Sequence, residues 1–380
     1  MTKSPAPDII VIGAGAFGLW TALAAAERGA RVTVFDMREP GNTRASSGGA
    51  SRNIRAAYGA DAFYTRLAIE ARAAWQQRET ELGQRLLYPA GALHSLNPEL
   101  LGAQSRIFAD CQQPCELLGG AEVRHRWPVL NYGPDERVFY EPKAGVLLAS
   151  EALRLVGNRL RELGGTIGQG RVAFSAERGR LACQLDGRRL EADRIVVAAG
   201  PWLTKLFPEL LGPLMRTPRR ELFFFAAPAG ELRVRWEHLP NLSDELGWTS
   251  TDIGGGVKVA PRMRHIALDP DADPGPASLA MARAARAYLA ARLPMMADAP
   301  IASTYVGQLE NTANEHFIID THPADERIII AGGGSGHAYK FGPVLGERIA
   351  DYALNGHLPA EWHARFALAS HRPVRPGEAG

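Results

Sequence analysis

The chain has 380 residues, 46% of them hydrophobic and 22% charged, with a formal net charge of +2. That length accommodates two domains sharing a cleft, while the small net charge and the lack of a basic stripe interleaved with aromatics exclude a nucleic-acid footprint. Three cysteines are too few for a disulfide framework, no window reaches membrane-spanning length, and residues 1–7 hold no apolar leader, so a cytoplasmic protein with no membrane partner is expected.

Asp8 to Ile12 is a short β-branched run that reads as a buried parallel strand. Gly13 permits a tight turn, Gly15 lets a pyrophosphate approach the backbone, and Gly18 lets the next helix lie close to the strand. That helix, about Ala16 to Arg28 with Phe17 in its first turn, aims its N-terminal N–H groups and dipole at the phosphates. Gly29 ends it, and a strand from Arg31 delivers Asp36 at the spacing that accepts hydrogen bonds from a ribose diol. Strand, glycine turn, helix, second strand and terminal acid together predict a dinucleotide site.

Residues 41 to 49 form a loop without hydrophobic period, which continues through Ser51-Arg52-Asn53-Ile54-Arg55 to Tyr58-Gly59 and is expected near the cofactor. Asp61 caps a helix with Phe63, Leu67, Ala71, Ala74 and Trp75 on one face. Residues 86–96 read as short strands and turns, 98–127 as helical in part, and 138–148 as strand and turn. Ser150 is expected to cap a helix over 151–163 that Gly164-Gly165 ends. Short strands follow at 170–175, 181–185 and 195–199, the last a buried parallel strand closing on Gly200-Pro201-Trp202. Between 211 and 262 the pattern is short β segments, clearest at 222–226 and 256–260. A Pro/Asp linker at 269–275 precedes an amphipathic helix over 278–293. The end returns to parallel-sheet chemistry with strands at 317–320 and 327–331, a glycine loop to Gly336, and a helix to Leu354 capped by Asn355-Gly356. A cofactor domain built from separated stretches, with a β-rich substrate domain inserted, is the expected organisation.

Six motifs occur in one order: the N-terminal glycine fingerprint, Ser51-Arg52-x-x-Arg55-x-x-Tyr58-Gly59, Tyr140-Glu141-Pro142-x-x-Gly145, Ala199-Gly200-Pro201-Trp202, Glu315-His316-Phe317-Ile318-Ile319-Asp320, and Gly334-Ser335-Gly336-His337-x-x-Lys340-Phe341. Together they resemble the FAD-dependent D-amino-acid, glycine and sarcosine oxidase family, over nearly the whole chain. The branch that fits best holds monomeric sarcosine oxidase, N-methyltryptophan oxidase and pipecolate oxidase. The resemblance implies an α/β protein, with a Rossmann-like FAD-binding domain (1–85, 138–212 and 309–370) and an inserted β-rich, antiparallel or mixed substrate domain (86–137 and 213–308). It implies that Arg55 and Lys340 bind a substrate carboxylate, that Arg52 lies near the flavin ring, and that Lys258 activates oxygen. It also brings Ser46, Ser51, Arg52, Val172, Gly200, Trp202, Gly334, Gly336, His337 and Lys340 to FAD, beside the fingerprint residues and Asp36.

Three departures from the branch bear on the chemistry. Val306-Gly307-Gln308-Leu309-Glu310 lacks the cysteine that carries flavin covalently there, so FAD is expected to be held non-covalently. Ser47-Gly48-Gly49 replaces a His-His-Gly run, and Arg262 stands where the branch has a pocket histidine, so the substrate is expected not to be sarcosine. Arg262 and Glu310 are left open between recognising a polar substrate end and lying on the surface. The preferred reading is oxidation of an amino-acid C–N bond to an imine with O2 reduced to H2O2, in a monomer or weak homodimer, with no side-chain nucleophile or metal. A dehydrogenase of the same fold passing electrons to a quinone or carrier, and a flavin-binding subunit without catalysis, are the competing readings.

Overall fold

The computed structural model describes residues 6–177, 180–262 and 266–375, so residues 1–5 and 178–179 of the expected cofactor domain and 263–265 of the expected substrate domain lie outside it. Its first sheet has six strands, in the spatial order Ile318–His322, Asp325–Gly332, Arg194–Val197, Asp8–Ile12, Arg31–Asp36 and Thr166–Gln169. Four strand pairs are parallel. Side chains alternate across the sheet with period 2. Ile9 and Val11 therefore pack with Leu19 and Trp20 on one face, while Ile10 and Ile12 pack with Phe207 on the other. Burial on both faces explains why this strand is an unbroken apolar run.

The expected fingerprint elements form as strand Asp8–Ile12, helix Ala16–Glu27 and strand Arg31–Asp36, with Gly29 at φ +87° after the helix. Any side chain at Gly18 would overlap the carbonyl oxygen of Gly13, so only glycine lets helix and strand touch. Helix Ala62–Leu82 is capped by Asp61, whose carboxylate accepts from Tyr64 N at 3.1 Å. Its Trp75 meets Trp20 edge-on at 5.2 Å.

The second sheet has eight strands, in the order Ile301–Gln308, Arg219–Phe225, Val257–Pro261, Gly247–Thr251, Asn241–Asp244, Ala92–His94, Arg137–Glu141 and Glu116–Gly119. All neighbours are antiparallel except Asn241–Asp244 with Ala92–His94. This is the mixed, β-rich sheet expected of the inserted domain. Helix Leu279–Arg292, capped by Ser278, covers it with Tyr288 and Leu289. A small sheet of Ser51–Ile54, Gly145–Leu148 and Leu87–Tyr88 lies at the junction.

Three local expectations differ. Ser150 is not a helix cap: the helix is Ala149–Glu162, and the Ser150 hydroxyl donates to the carbonyls of Gly41 and Gly49 at 2.8 and 2.9 Å. The strand Gly145–Leu148 runs straight into the helix, so the hydroxyl is free to pin the cofactor loop instead. The strands Ile318–His322 and Asp325–Gly332 are antiparallel, because only two residues separate them and that length permits a hairpin alone. Residues 138–141, assigned above to the cofactor domain, lie in strand Arg137–Glu141, which pairs on both edges within the eight-stranded sheet. Among the described residues no helix is long and apolar enough to cross a membrane.

Candidate active site

A cavity of about 360 Å³ opens beyond the C-terminal ends of Asp8–Ile12 and Arg31–Asp36. Gly13, Gly15, Ala16, Phe17, Asp36, Ser46, Arg52, Val172, Gly200, Trp202, Gly334, Gly336 and His337 all line it. Gly13 has φ +106° and packs so closely on Ala198 that a Cβ would strike its carbonyl. Helix Ala16–Glu27 starts at Gly15 with no side-chain cap, leaving its first-turn N–H groups for a ligand anion. The Asp36 carboxylate accepts from Ala14 N at 2.7 Å and Arg38 N at 2.8 Å; burial raises its pKa against the pull of those bonds. Gly18 and Ser51 do not line this cavity, and Lys340 lines its neighbour.

The fit to a dinucleotide is marked by Glu310. Its Oε1 accepts from Gly334 N at 3.4 Å, whereas Oε2 is buried without a hydrogen-bond partner among the described residues. Oε2 faces Gly200, where an added Cβ would lie 2.8 Å away. An orphaned acceptor beside bare glycine backbone suits a ligand hydroxyl or N–H closing against this wall. Burial pushes the Glu310 carboxyl up to about 7.

A second cavity of about 170 Å³ shares Ser46, Arg52, Leu309, Gly336, His337 and Tyr339 with the first. Arg52 sits between them and donates to Ser46 O and Ser51 O, both at 2.8 Å, and to Gly48 O, so it braces the loop that the sequence placed near the cofactor. Arg55 and Lys340 both line the second cavity. The Arg55 guanidinium donates to Ala57 O and lies 4.8 Å from the Tyr58 ring centre. Lys340 Nζ donates to Tyr58 Oη at 2.7 Å and His337 O at 2.8 Å. Burial, then Arg55, holds the Lys340 ammonium well below its ordinary range. The same burial, with Lys340 beside it, lowers His337 to about 3, so its ring is neutral; Tyr58 Oη lies 3.1 Å from Nδ1.

Lys258 lines neither cavity. It is 1% exposed, donates to Ser51 Oγ at 2.8 Å and Ser51 O at 3.0 Å, and lies 5.3 Å from the Trp248 ring centre. Burial, then Arg52, lowers its pKa to about 7. Register pairs it with Phe224 and Ser250, which puts it on the same sheet face as Leu222 and Trp248, both lining the second cavity. Arg262 is exposed and lines neither cavity, and Glu310 lines the first rather than the second.

Sequence reasoning gave no role to His94 and Glu141. The buried Glu141 accepts from Ala56 N at 2.8 Å and Ala57 N at 3.1 Å, with Arg72 at 3.5 Å and His94 Nε2 at 3.6 Å. Its place inside the Tyr140-Glu141-Pro142 motif, an acid at the end of an apolar strand, was the available signal.

A dinucleotide cavity at the sheet's C-terminal edge, joined to a second cavity under a β-rich sheet, defines a two-domain nucleotide-dependent enzyme. Residues 8–352 match the family described as DAO, FAD dependent oxidoreductase, and the chain belongs to that family. It is similar to monomeric sarcosine oxidase of Bacillus sp. (strain B-0618), 26% identical over 365 residues that cover 92% of each protein. N-methyl-L-tryptophan oxidase of Yersinia pestis (strain Pestoides F) is 27% identical, across 96% of this chain and 99% of that protein. The fold is shared with the open form of NikD, described as an unusual amino acid oxidase essential for nikkomycin biosynthesis, at a TM-score of 0.80 and 21% identity over 99% of this chain and 100% of that one. The resemblance stated above is thereby confirmed at the level of family, fold and FAD dependence.

Glu310 supplies a pH signature. Its folded-state pKa lies above the ordinary 4.5, so the folded protein holds an extra proton between that value and about 7, and stability falls as pH rises through this window. In the FAD-free protein, Glu310→Gln should raise the melting temperature at pH 8 but not at pH 4.5, a difference on the order of a few kcal/mol. Equal shifts at both pH values would show that the carboxyl is not buried as described.

Proposed function

We propose that the protein is an amine oxidase that takes an amino acid to its imine, with O2 reduced to H2O2. The observation that carries this reading is the pair of cations, Arg55 and Lys340, in a cavity that shares a wall with the dinucleotide cavity. FAD, when bound along the first cavity, supplies the two-electron acceptor for the carbon–nitrogen bond.

The chain's own residues then bind and orient. The planar Arg55 fork and the compact Lys340 ammonium hold an α-carboxylate by two charge-assisted contacts. Lys340 is buried and disfavoured as a cation, so an arriving carboxylate favours its charged form and binding is coupled to uptake of a proton. The stacked Tyr58 fixes both groups, and neutral His337 adds no competing charge. Leu222 and Trp248 give the cavity an apolar wall. The names of the relatives, sarcosine oxidase and N-methyl-L-tryptophan oxidase, support a secondary amine among the substrates.

FAD is held without a covalent bond in this reading. None of Cys111, Cys115 and Cys183 lines either cavity, and Gly307 and Gln308 stand in the wall instead. Acid precipitation should leave the yellow chromophore in solution; a yellow pellet would overturn the assignment.

Arg55→Ala and Lys340→Ala should each raise KM for a carboxylate-bearing amine on the order of a hundredfold while FAD stays bound, as expected for losing a charge-assisted contact. Normal KM in both variants would move the carboxylate anchor elsewhere.

Lys258 separates oxidase from dehydrogenase. Its ammonium, the form present below about pH 7, stabilises negative charge developing on oxygen and has no part in anaerobic reduction. Reoxidation by O2 in stopped flow should therefore slow as pH rises through about 7 in the parent. In Lys258→Met it should be slower by on the order of a hundredfold and flat with pH, with anaerobic reduction changed much less. A variant that reoxidises at the parent rate removes Lys258 from the reaction. A parent that reacts quickly with a quinone dye but sluggishly with O2 supports the dehydrogenase.

A further inference from the structure

The wall of the substrate cavity holds a cation that neither the family motifs nor the carboxylate anchor uses. Arg220 lies in strand Arg219–Phe225, where alternation sends Arg219 and Glu221 to one face and Arg220 and Leu222 to the other. Arg219 and Glu221 satisfy each other at 2.8 Å, and Arg219 also donates to Pro276 O at 2.6 Å. Arg220 and Leu222 line the cavity. Directly opposite Arg220 in the next strand is Gly307, which has no side chain of its own; the Tyr305 ring lies over it in the same cavity wall.

The Arg220 side chain makes no hydrogen bond or ion pair with any described residue, and its nearest charged influence, Arg262, has the same sign. The other cations of this cavity are all tied to protein acceptors: Arg52 to the Ser46 and Ser51 carbonyls, Arg55 to that of Ala57, Lys340 to Tyr58 and His337. Among the described residues no carboxylate lines the cavity. A half-buried guanidinium beside a like charge is a cost that a structural role leaves uncompensated and an anionic ligand removes. Its five donors form a fork matched to a carboxylate. The cavity, at about 170 Å³, suits a compact molecule.

We infer that the physiological substrate is a dicarboxylic amine: one carboxylate is held by Arg55 and Lys340, and a second, distal carboxylate by Arg220. This rests on the amine-oxidase reading and narrows it.

The test uses the FAD-loaded protein and matched substrates: N-methylglycine against iminodiacetate, and N-methylalanine against N-methylaspartate and N-methylglutamate. The parent should favour at least one diacid over its matched monoacid by about a hundredfold in kcat/KM. Arg220→Met should abolish that preference by raising KM for the diacid, with kcat and all monoacid kinetics little changed, and Arg220→Lys should restore part of it. Arg220→Met should melt no lower than the parent; a lower melting temperature would make Arg220 a structural residue and overturn the inference. It is also overturned if the diacids are no better than the monoacids, if the variant keeps the preference, or if an ω-phosphonate amine outperforms every dicarboxylate. If the parent oxidises monoacids alone, only this inference fails; if no amine in either set reduces the flavin, the amine-oxidase reading fails with it.

Discussion

Glu141 is the contact on which the site's geometry depends. Its carboxylate, with no exposed surface, accepts the backbone N–H groups of Ala56 and Ala57 and so fixes the segment that carries Arg52, Arg55 and Tyr58. It comes from the last residue of a strand in the substrate sheet, while the segment it holds begins as a strand paired to Gly145–Leu148. One buried acid thus ties the positions of both cavities to each other. A buried acceptor left without those donors would cost more than the bonds contribute, which makes the arrangement close to all-or-none. Lys258 repeats the device from a different strand, binding Ser51 across 207 residues of sequence.

The electrostatics are those of a site waiting for an anion. Lys258 and Lys340 are both lowered chiefly by burial and then by a neighbouring arginine, Arg52 and Arg55 respectively. Glu310 is raised by burial on the other side, in the dinucleotide cavity. These shifts have a common origin in polar groups taken out of water before their partners arrive. The protein meets the desolvation cost in folding, which leaves Lys340 and Glu310 already placed in the walls of the two cavities.

Much of this was legible in the sequence where meaning is local. Gly13, Gly18 and Asp36 act through spacing along one strand–helix–strand unit, and spacing is what a sequence displays. Lys340 and His337 were legible through their shared motif, since Nζ of the first binds the carbonyl of the second three residues away. Ser150 was misjudged because its hydroxyl answers to Gly41 and Gly49, over a hundred residues distant, instead of to its own helix. Residues 138–141 were assigned to the cofactor domain although their strand pairs within the eight-stranded sheet, for the same reason, as strand pairing is non-local. Arg220 gave no signal: in Arg219-Arg220-Glu221 three charged residues follow one another, and only the pleat decides which arginine finds the acid.

That pleat carries a further consequence. Arg220 and Leu222 share a face of one strand, and register sets Phe224, the next residue on that face, opposite Lys258 in the neighbouring strand, with Trp248 on the same side of the strand beyond. A single sheet face therefore carries the Arg220 guanidinium, the apolar Leu222 and Trp248 of the cavity wall, and the buried Lys258 behind that wall. A one-residue slip of Arg219–Phe225 would turn Glu221 into the cavity in place of Arg220 and invert the sign of the charge on that wall. Glu221 is secured against that exchange: besides accepting from Arg219, its other oxygen accepts the N–H of Ser278 at 2.6 Å, the cap of the helix that covers the sheet. The bonds behind the sheet hold its register, and the register determines which charge faces the cavity.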